Sequence, residues 1–267
     1  MKKVAARGAR AKVIDLAKPA KPSIPGKLVK ALPVASDGMA ELPFEVEELN
    51  RELVAFLATP FDIPGDNSKS GNRLGALNWG VYAFFDYDGE PIYVGQTKEN
   101  VGTRIRRHLT GRRTDAVAKN ILDPYEVCVV RVYPLPQFQL VKASDKAAIE
   151  HLNALEYIVF HELLEKSKFN AVLNEKMPSA PKCQIIVPEP IEGRVASAAV
   201  TALRDHPDTR IARRAQTLAA LAKGISERKV GPGIRQTLLT QAKRLQWLAE
   251  RRLGQAPDVK DDESDES

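Results

Sequence analysis

The segment from Gly80 to Gln96 constrains this chain more than any other. Two short runs, GVYAFFDYD and EPIYVGQ, are rich in β-branched and aromatic residues and meet at Asp88-Gly89, a turn-forming pair. The pattern predicts two strands of one hairpin. Each strand carries a tyrosine close to a glycine, Tyr82 in the first and Tyr93 in the second. A strand tyrosine taken alone is ordinary packing, with an apolar ring and a polar tip. Two of them on adjacent strands raise the question of a shared site.

The elements around the hairpin follow from periodicity. TRIRRHLTG reads as a helix with Ile105 and Leu109 on one face and Gly111 as its C-terminal cap. YEVCVVRVYPL alternates β-branched residues and stops at prolines, which predicts a third strand. ASDKAAIEHLNALEYIVFHELLEKSKFN is a long helix capped by Ser144 or Asp145, with an apolar stripe at Ile149, Leu152, Leu155, Val159 and Leu163. The order β-β-α-β-α describes a compact α/β domain with a small three-stranded antiparallel sheet flanked by helices, near the common size of roughly 100 residues.

Upstream, residues 1–42 are rich in Ala, Lys and Pro and read as a disordered basic arm. Residues 43–78 supply an amphipathic helix, with Val46, Leu49, Leu53 and Phe56 at helical spacing, and then a polar loop. The α/β domain is assigned to 79–182. Residues 194–253 form an all-α extension whose last helix repeats apolar residues at Ile234, Leu238, Leu245 and Leu248. The acidic tail, 254–267, is expected to be disordered.

Charge is distributed in blocks. Residues 1–30 hold nine Lys/Arg against one acid, residues 194–253 hold thirteen against four, and DVKDDESDES holds six acids and one lysine. Two basic blocks around a more balanced middle suit a polyanionic partner, although solvated helix faces account for charge of this kind equally well. No apolar run is long enough to span a bilayer, and the first residues lack the apolar stretch of a secretory signal. Cys128 and Cys183 lie far apart and match no metal spacing, so a reducing, cytoplasmic setting is expected.

GVY (Gly80–Tyr82) and YVG (Tyr93–Gly95), with their tyrosines eleven residues apart, resemble the paired signature of the GIY-YIG endonuclease family, with valine in place of isoleucine in both. Arg104 and His108 stand where that family has an arginine and a histidine one turn later, and their spacing puts them on one helix face. The family's metal-binding glutamate is matched best by Glu156, with Glu162 as the alternative. Its following asparagine is matched by Asn174, with Asn170 as the alternative. The likeness covers residues 80–176, a little over a third of the chain.

The resemblance implies a phosphodiesterase that acts on DNA. Glu156 would hold one divalent cation, Mg²⁺ or another such as Mn²⁺, since Mg²⁺ takes only one or two protein carboxylates and keeps several waters. Arg104 would contact the scissile phosphate with its planar, permanently charged fork. Tyr82 or Tyr93 would deprotonate or orient the attacking water, His108 would assist proton transfer, and Asn174 would support the site. Arg106, Arg107, Arg112 and Arg113 would follow the DNA backbone. Cutting both strands with one site per chain requires a homodimer or two sequential nicks. Restriction-like defence, repair and mobile-element nicking share this chemistry. A protein that keeps the module and binds DNA without cutting it is the alternative from another class.

Overall fold

A computed structural model describes residues 41–62, 73–109, 121–174 and 176–254, with the backbone alone at 41–46. The basic arm up to residue 40, the polar loop 63–72, the segment 110–120 that includes Gly111, Arg112 and Arg113, and the tail beyond Gly254 lie outside the described residues.

The hairpin forms as its composition dictates. Strand β1 (Gly80–Phe85) pairs antiparallel with β2 (Pro91–Thr97), and Gly89 takes a φ of 73° in the connecting turn, the left-handed region glycine enters without steric cost. Asp86 reinforces the turn by accepting from the backbone N–H groups of Asp88 and Glu90 at 2.9 and 3.0 Å. Strand β3 (Val129–Pro134) pairs on the other side of β1. It begins later than its β-branched run suggests, because Pro124–Glu126 makes a single 3₁₀ turn capped by Asp123.

The sheet has four strands, not three. β4 (Ile191–Arg194) pairs antiparallel with β3, giving the order β2-β1-β3-β4. The sheet therefore continues past residue 182, where the sequence placed the domain's end. IEGR follows Pro188 and Pro190, contains a glycine and lacks β-branched alternation, so its strand character comes from its neighbour, not from its composition. Helix α1 (Glu41–Leu57) packs near this strand, and Gly193 leaves room for it: a Cβ there would collide with the Phe56 ring.

Alternation sorts the two sheet faces. Tyr82 and Phe84 share one hydrophobic cluster with Leu53 of α1 and with Ile105 of α2 (Val101–Leu109). Val81, Ala83, Phe85 and Val94 share the other with Leu152, Leu155 and Val159 of α3 (Lys146–Lys166). Asn100 caps α2 by accepting from Thr103 N–H at 2.8 Å, and Asp145 caps α3 through Ala148 N–H at 2.9 Å.

The extension comprises α4 (Ala198–Arg204), α5 (Pro207–Glu227) and α6 (Pro232–Leu253). Of its apolar stripe only Leu248 docks deeply. The most buried positions of α6 are Thr237, Thr240, Gln241, Arg244 and Leu248, while Ile234, Leu238 and Leu245 are only partly covered. The reason is electrostatic: Arg210, Arg214 and Arg244 converge on Asp86, Asp88 and Glu126. Arg214 and Arg244 both lie 2.9 Å from Asp86, Arg214 lies 2.9 Å from Glu126, and Arg210 lies 2.7 Å from Asp88. Burial alone would raise the Asp86 carboxyl, but Arg244, Arg214 and Arg210 hold it below its ordinary range. Part of the basic charge of the C-terminal block thus faces inward. Among the described residues no helix is long and apolar enough to cross a membrane. Neither cysteine is in a disulfide.

Candidate active site

The antiparallel register sets Tyr82 opposite Gly95 and Tyr93 opposite Phe84, so both phenols belong to the same face of the sheet. Gly95 is required by this arrangement. A Cβ at that position would stand 2.5 Å from the Tyr82 hydroxyl oxygen and 2.8 Å from the Tyr93 ring. The second glycine of the motif exists so that one tyrosine can lie across the neighbouring strand. The ring centroids of Tyr82 and Tyr93 are 6.3 Å apart, and both rings touch the His108 imidazole, at 5.7 and 5.1 Å.

Helix α2 delivers the cation and the imidazole. Arg104 and His108 are one turn apart, and the Tyr82 hydroxyl lies 2.9 Å from His108 Nε2 in a buried hydrogen bond. Arg104 also hydrogen-bonds Tyr82. Arginine can only donate, so the phenol oxygen accepts from it. Burial alone would lower the Arg104 pKa, but its charge interaction and hydrogen bond with Tyr82, followed by Tyr93 and Glu99, raise it above its ordinary value. Its Nε is buried with no hydrogen-bond partner among the described residues. Tyr82 is fully buried, whereas Tyr93 is half-buried and lines an open cleft.

Glu156 comes from α3, the helix on the opposite face of the sheet. It meets the Tyr93 phenol around the outer edge of β2, in a cleft of about 470 Å³ lined by Tyr93, Gln96, Asn153, Glu156, Asn174 and Lys176 among others. Burial drives its carboxyl up from 4.5 to about 7, with Arg104 pulling the other way. Glu156 makes no hydrogen bond to any described residue. A lone, half-buried carboxylate on the wall of an open cleft is a donor set that fits Mg²⁺, which completes its octahedron with water. No group of three His, Cys, Asp or Glu poised for a metal occurs among the described residues.

The alternatives left open by the sequence occupy other places. Glu162 pairs with Lys166 at 2.5 Å on the more exposed side of α3 and does not line the cleft. Asn170 is an exposed turn residue at φ 47°, a conformation asparagine tolerates better than most residues. Asn174 lines the cleft, but both ends of its amide are engaged. Its Oδ1 accepts from Val94 N–H at 3.0 Å and its Nδ2 donates to the Val94 carbonyl at 2.7 Å. Together with Leu173 N–H donating to the Ile92 carbonyl at 2.8 Å, it closes the outer edge of β2 as a surrogate strand. The edge beyond residue 95 is left for the cleft.

Arg106 and Arg107 are exposed on α2, with Arg107 4.0 Å from Glu99. Sequence reasoning missed Gln96, Asn153 and Lys176 as cleft residues. The signals were present: Gln96 directly follows YVG, and Asn153 precedes Glu156 by three residues and so shares its helix face.

Residues 78–154 match the family model of the GIY-YIG catalytic domain. No curated protein and no solved structure matches the chain.

Proposed function

We propose, from the match of residues 78–154 to the GIY-YIG catalytic domain, that the protein is a DNA endonuclease that hydrolyses phosphodiester bonds with the help of a divalent cation, Mg²⁺ or Mn²⁺. One observation carries this reading. Tyr82 and Tyr93 pack together against His108, Tyr93 and Glu156 line one cleft, and Arg104 interacts with both phenols and with Glu156, so groups drawn from two strands and from helices on opposite faces of the sheet gather at one edge. Core packing alone gives no reason to assemble them.

Hydrolysis forms a bond from a water oxygen to phosphorus and breaks the bond to a sugar oxygen. The protein must orient the water, offset charge on the phosphate oxygens and assist the leaving oxygen. Arg104 binds the scissile phosphate, its fork already held in place by Tyr82. Tyr93, the phenol that faces the cleft, orients the attacking water and, in its phenolate form, accepts the water's proton to become the neutral phenol. Tyr82, enclosed between Arg104 and His108, positions both, and its hydrogen bond to His108 Nε2 provides a path along which a proton is redistributed. Glu156 would hold the cation, which when bound would polarise the phosphate and offset charge on the departing oxygen. Asn174 keeps β2 in register so that Tyr93 stays at the cleft. Arg106 and Arg107 contact the backbone on either side.

The test is incubation of supercoiled plasmid with the protein and Mg²⁺ or Mn²⁺, compared with Arg104→Ala and Glu156→Ala. Nicking by the wild type and loss of at least about a hundredfold in both variants are expected. Binding of DNA without any nicking by the wild type would make the protein a DNA-binding relative of the nucleases.

A further inference from the structure

Gln96 and Asn153 occupy a position that the reaction above does not use. Beside the cleft that contains Glu156 and Tyr93 lies a second cleft of about 260 Å³ that contains Arg104, Glu99 and Thr97. Gln96 and Asn153 line both. Between the two clefts their side chains meet: Gln96 Nε2 donates to Asn153 Oδ1 at 3.0 Å. The bridge therefore borders both the cleft of the guanidinium and the cleft of the carboxylate that must act on one phosphate.

The bridge is also poorly satisfied. Gln96 Oε1 is shut away from solvent and has no hydrogen-bond partner among the described residues. Leaving a buried acceptor unmade costs about as much as, or more than, one ordinary hydrogen bond contributes. Opening the bridge loses one bond but lets that oxygen reach a partner, so the two terms largely offset and the closed arrangement is easily displaced.

We propose that Gln96 and Asn153 form a latch that a DNA strand opens on entry, after which their amide N–H groups donate to the phosphate next to the scissile one. The chemistry suits the ligand. Backbone phosphate oxygens only accept, each amide brings two donors, and neither residue carries a charge that would compete with Arg104. The chain of a strand gripped by Arg104 on one side, with its scissile bond facing Glu156 on the other, runs through the place where the latch stands. This inference rests on the nuclease reading and adds which residues hold the strand on either side of the reacting phosphate.

The experiment measures affinity for a fluorescent duplex by anisotropy, without divalent cations, and nicking rates with Mg²⁺. The proteins are wild type, Gln96→Ala, Asn153→Ala and Asn153→Asp. Asn153→Asp keeps the acceptor for Gln96 and so keeps the latch, but it loses the donor and adds a negative charge. The expected result is roughly three- to tenfold weaker binding for either alanine variant, with KM raised and kcat little changed, and a larger loss for Asn153→Asp. In a series of duplexes carrying a single neutral methylphosphonate at successive positions, one position should erase the difference between wild type and Asn153→Ala. A penalty of equal size at every position, or wild-type affinity in Asn153→Asp, overturns the latch. If the wild type does not nick, the nuclease reading falls, and the affinity series still decides whether these amides hold DNA.

Discussion

Replacing Glu156 by glutamine keeps its size and removes its ionisation, and this isolates the electrostatic state of the cleft. In the folded protein without a cation, burial raises the carboxyl from 4.5 to about 7, against the pull of Arg104. An acid whose folded pKa lies above its unfolded one binds its proton more tightly when folded. Its contribution to stability is complete below the unfolded value and is lost as pH rises through the folded one. At 1.36 kcal/mol per pKa unit the full loss is about 3 kcal/mol, and between about pH 5 and about pH 8 roughly 2–3 kcal/mol of it is traversed. Other groups titrate in both proteins, so the informative quantity is the difference between them. Glu156→Gln should gain roughly 2–3 kcal/mol on wild type between about pH 5 and about pH 8, read from urea unfolding with a chelator present. Saturating Mg²⁺ at the higher pH should restore wild type and leave the variant unmoved, because a ligand that binds only the folded state stabilises it. Parallel stability curves for the two proteins, or no response of wild type to Mg²⁺, would show that the carboxylate is well hydrated and is not the cation's ligand.

Three further outcomes follow from the same geometry. Gly95→Ala brings a methyl within 2.5 Å of the Tyr82 hydroxyl and should cost roughly 1–3 kcal/mol in thermal or urea unfolding while lowering nicking by displacing Arg104. Tyr93→Phe should lower kcat for nicking by about a hundredfold at nearly unchanged DNA affinity, whereas Tyr82→Phe should also raise KM because Arg104 loses its partner; a wild-type rate in Tyr93→Phe would remove this phenol from the reaction. Asp86→Ala leaves Arg214 and Arg244 facing each other without their shared carboxylate and should cost about 3–5 kcal/mol, an effect measured by calorimetry that disappears as pH falls below the carboxylate range, where wild-type Asp86 is protonated too.

Much of the fold can be read from local pattern. The Asp88-Gly89 turn, the two hairpin strands, the capped helix starting after Asp145 and its stripe through Leu152, Leu155, Val159 and Leu163 depend on interactions within a few residues, and each appears where the sequence places it; the third strand does too, shortened at its start by a 3₁₀ turn. β4 was not legible, because a four-residue IEGR becomes a strand only when β3 offers it an edge. The inward-facing arginines were equally hidden. Arg210, Arg214 and Arg244 look like solvated or DNA-facing charge until Asp86, Asp88 and Glu126, more than eighty residues earlier, are seen to face them.

For the site, the sequence by itself determined the parts and their local geometry. A period of two puts Tyr82 and Phe84 on one face, and a spacing of four stacks Arg104 over His108. Only the tertiary structure decided that a carboxylate from the helix on the far face reaches the same place, that Glu156 and not Glu162 lines the cleft, and that Asn174 is committed to holding the β2 edge. The reason is that alternation and helical spacing are properties of single elements. Which residues meet around the edge of a sheet depends on where two helices on opposite faces end and on which stretch of the edge strand is left uncovered. Long-range packing sets both.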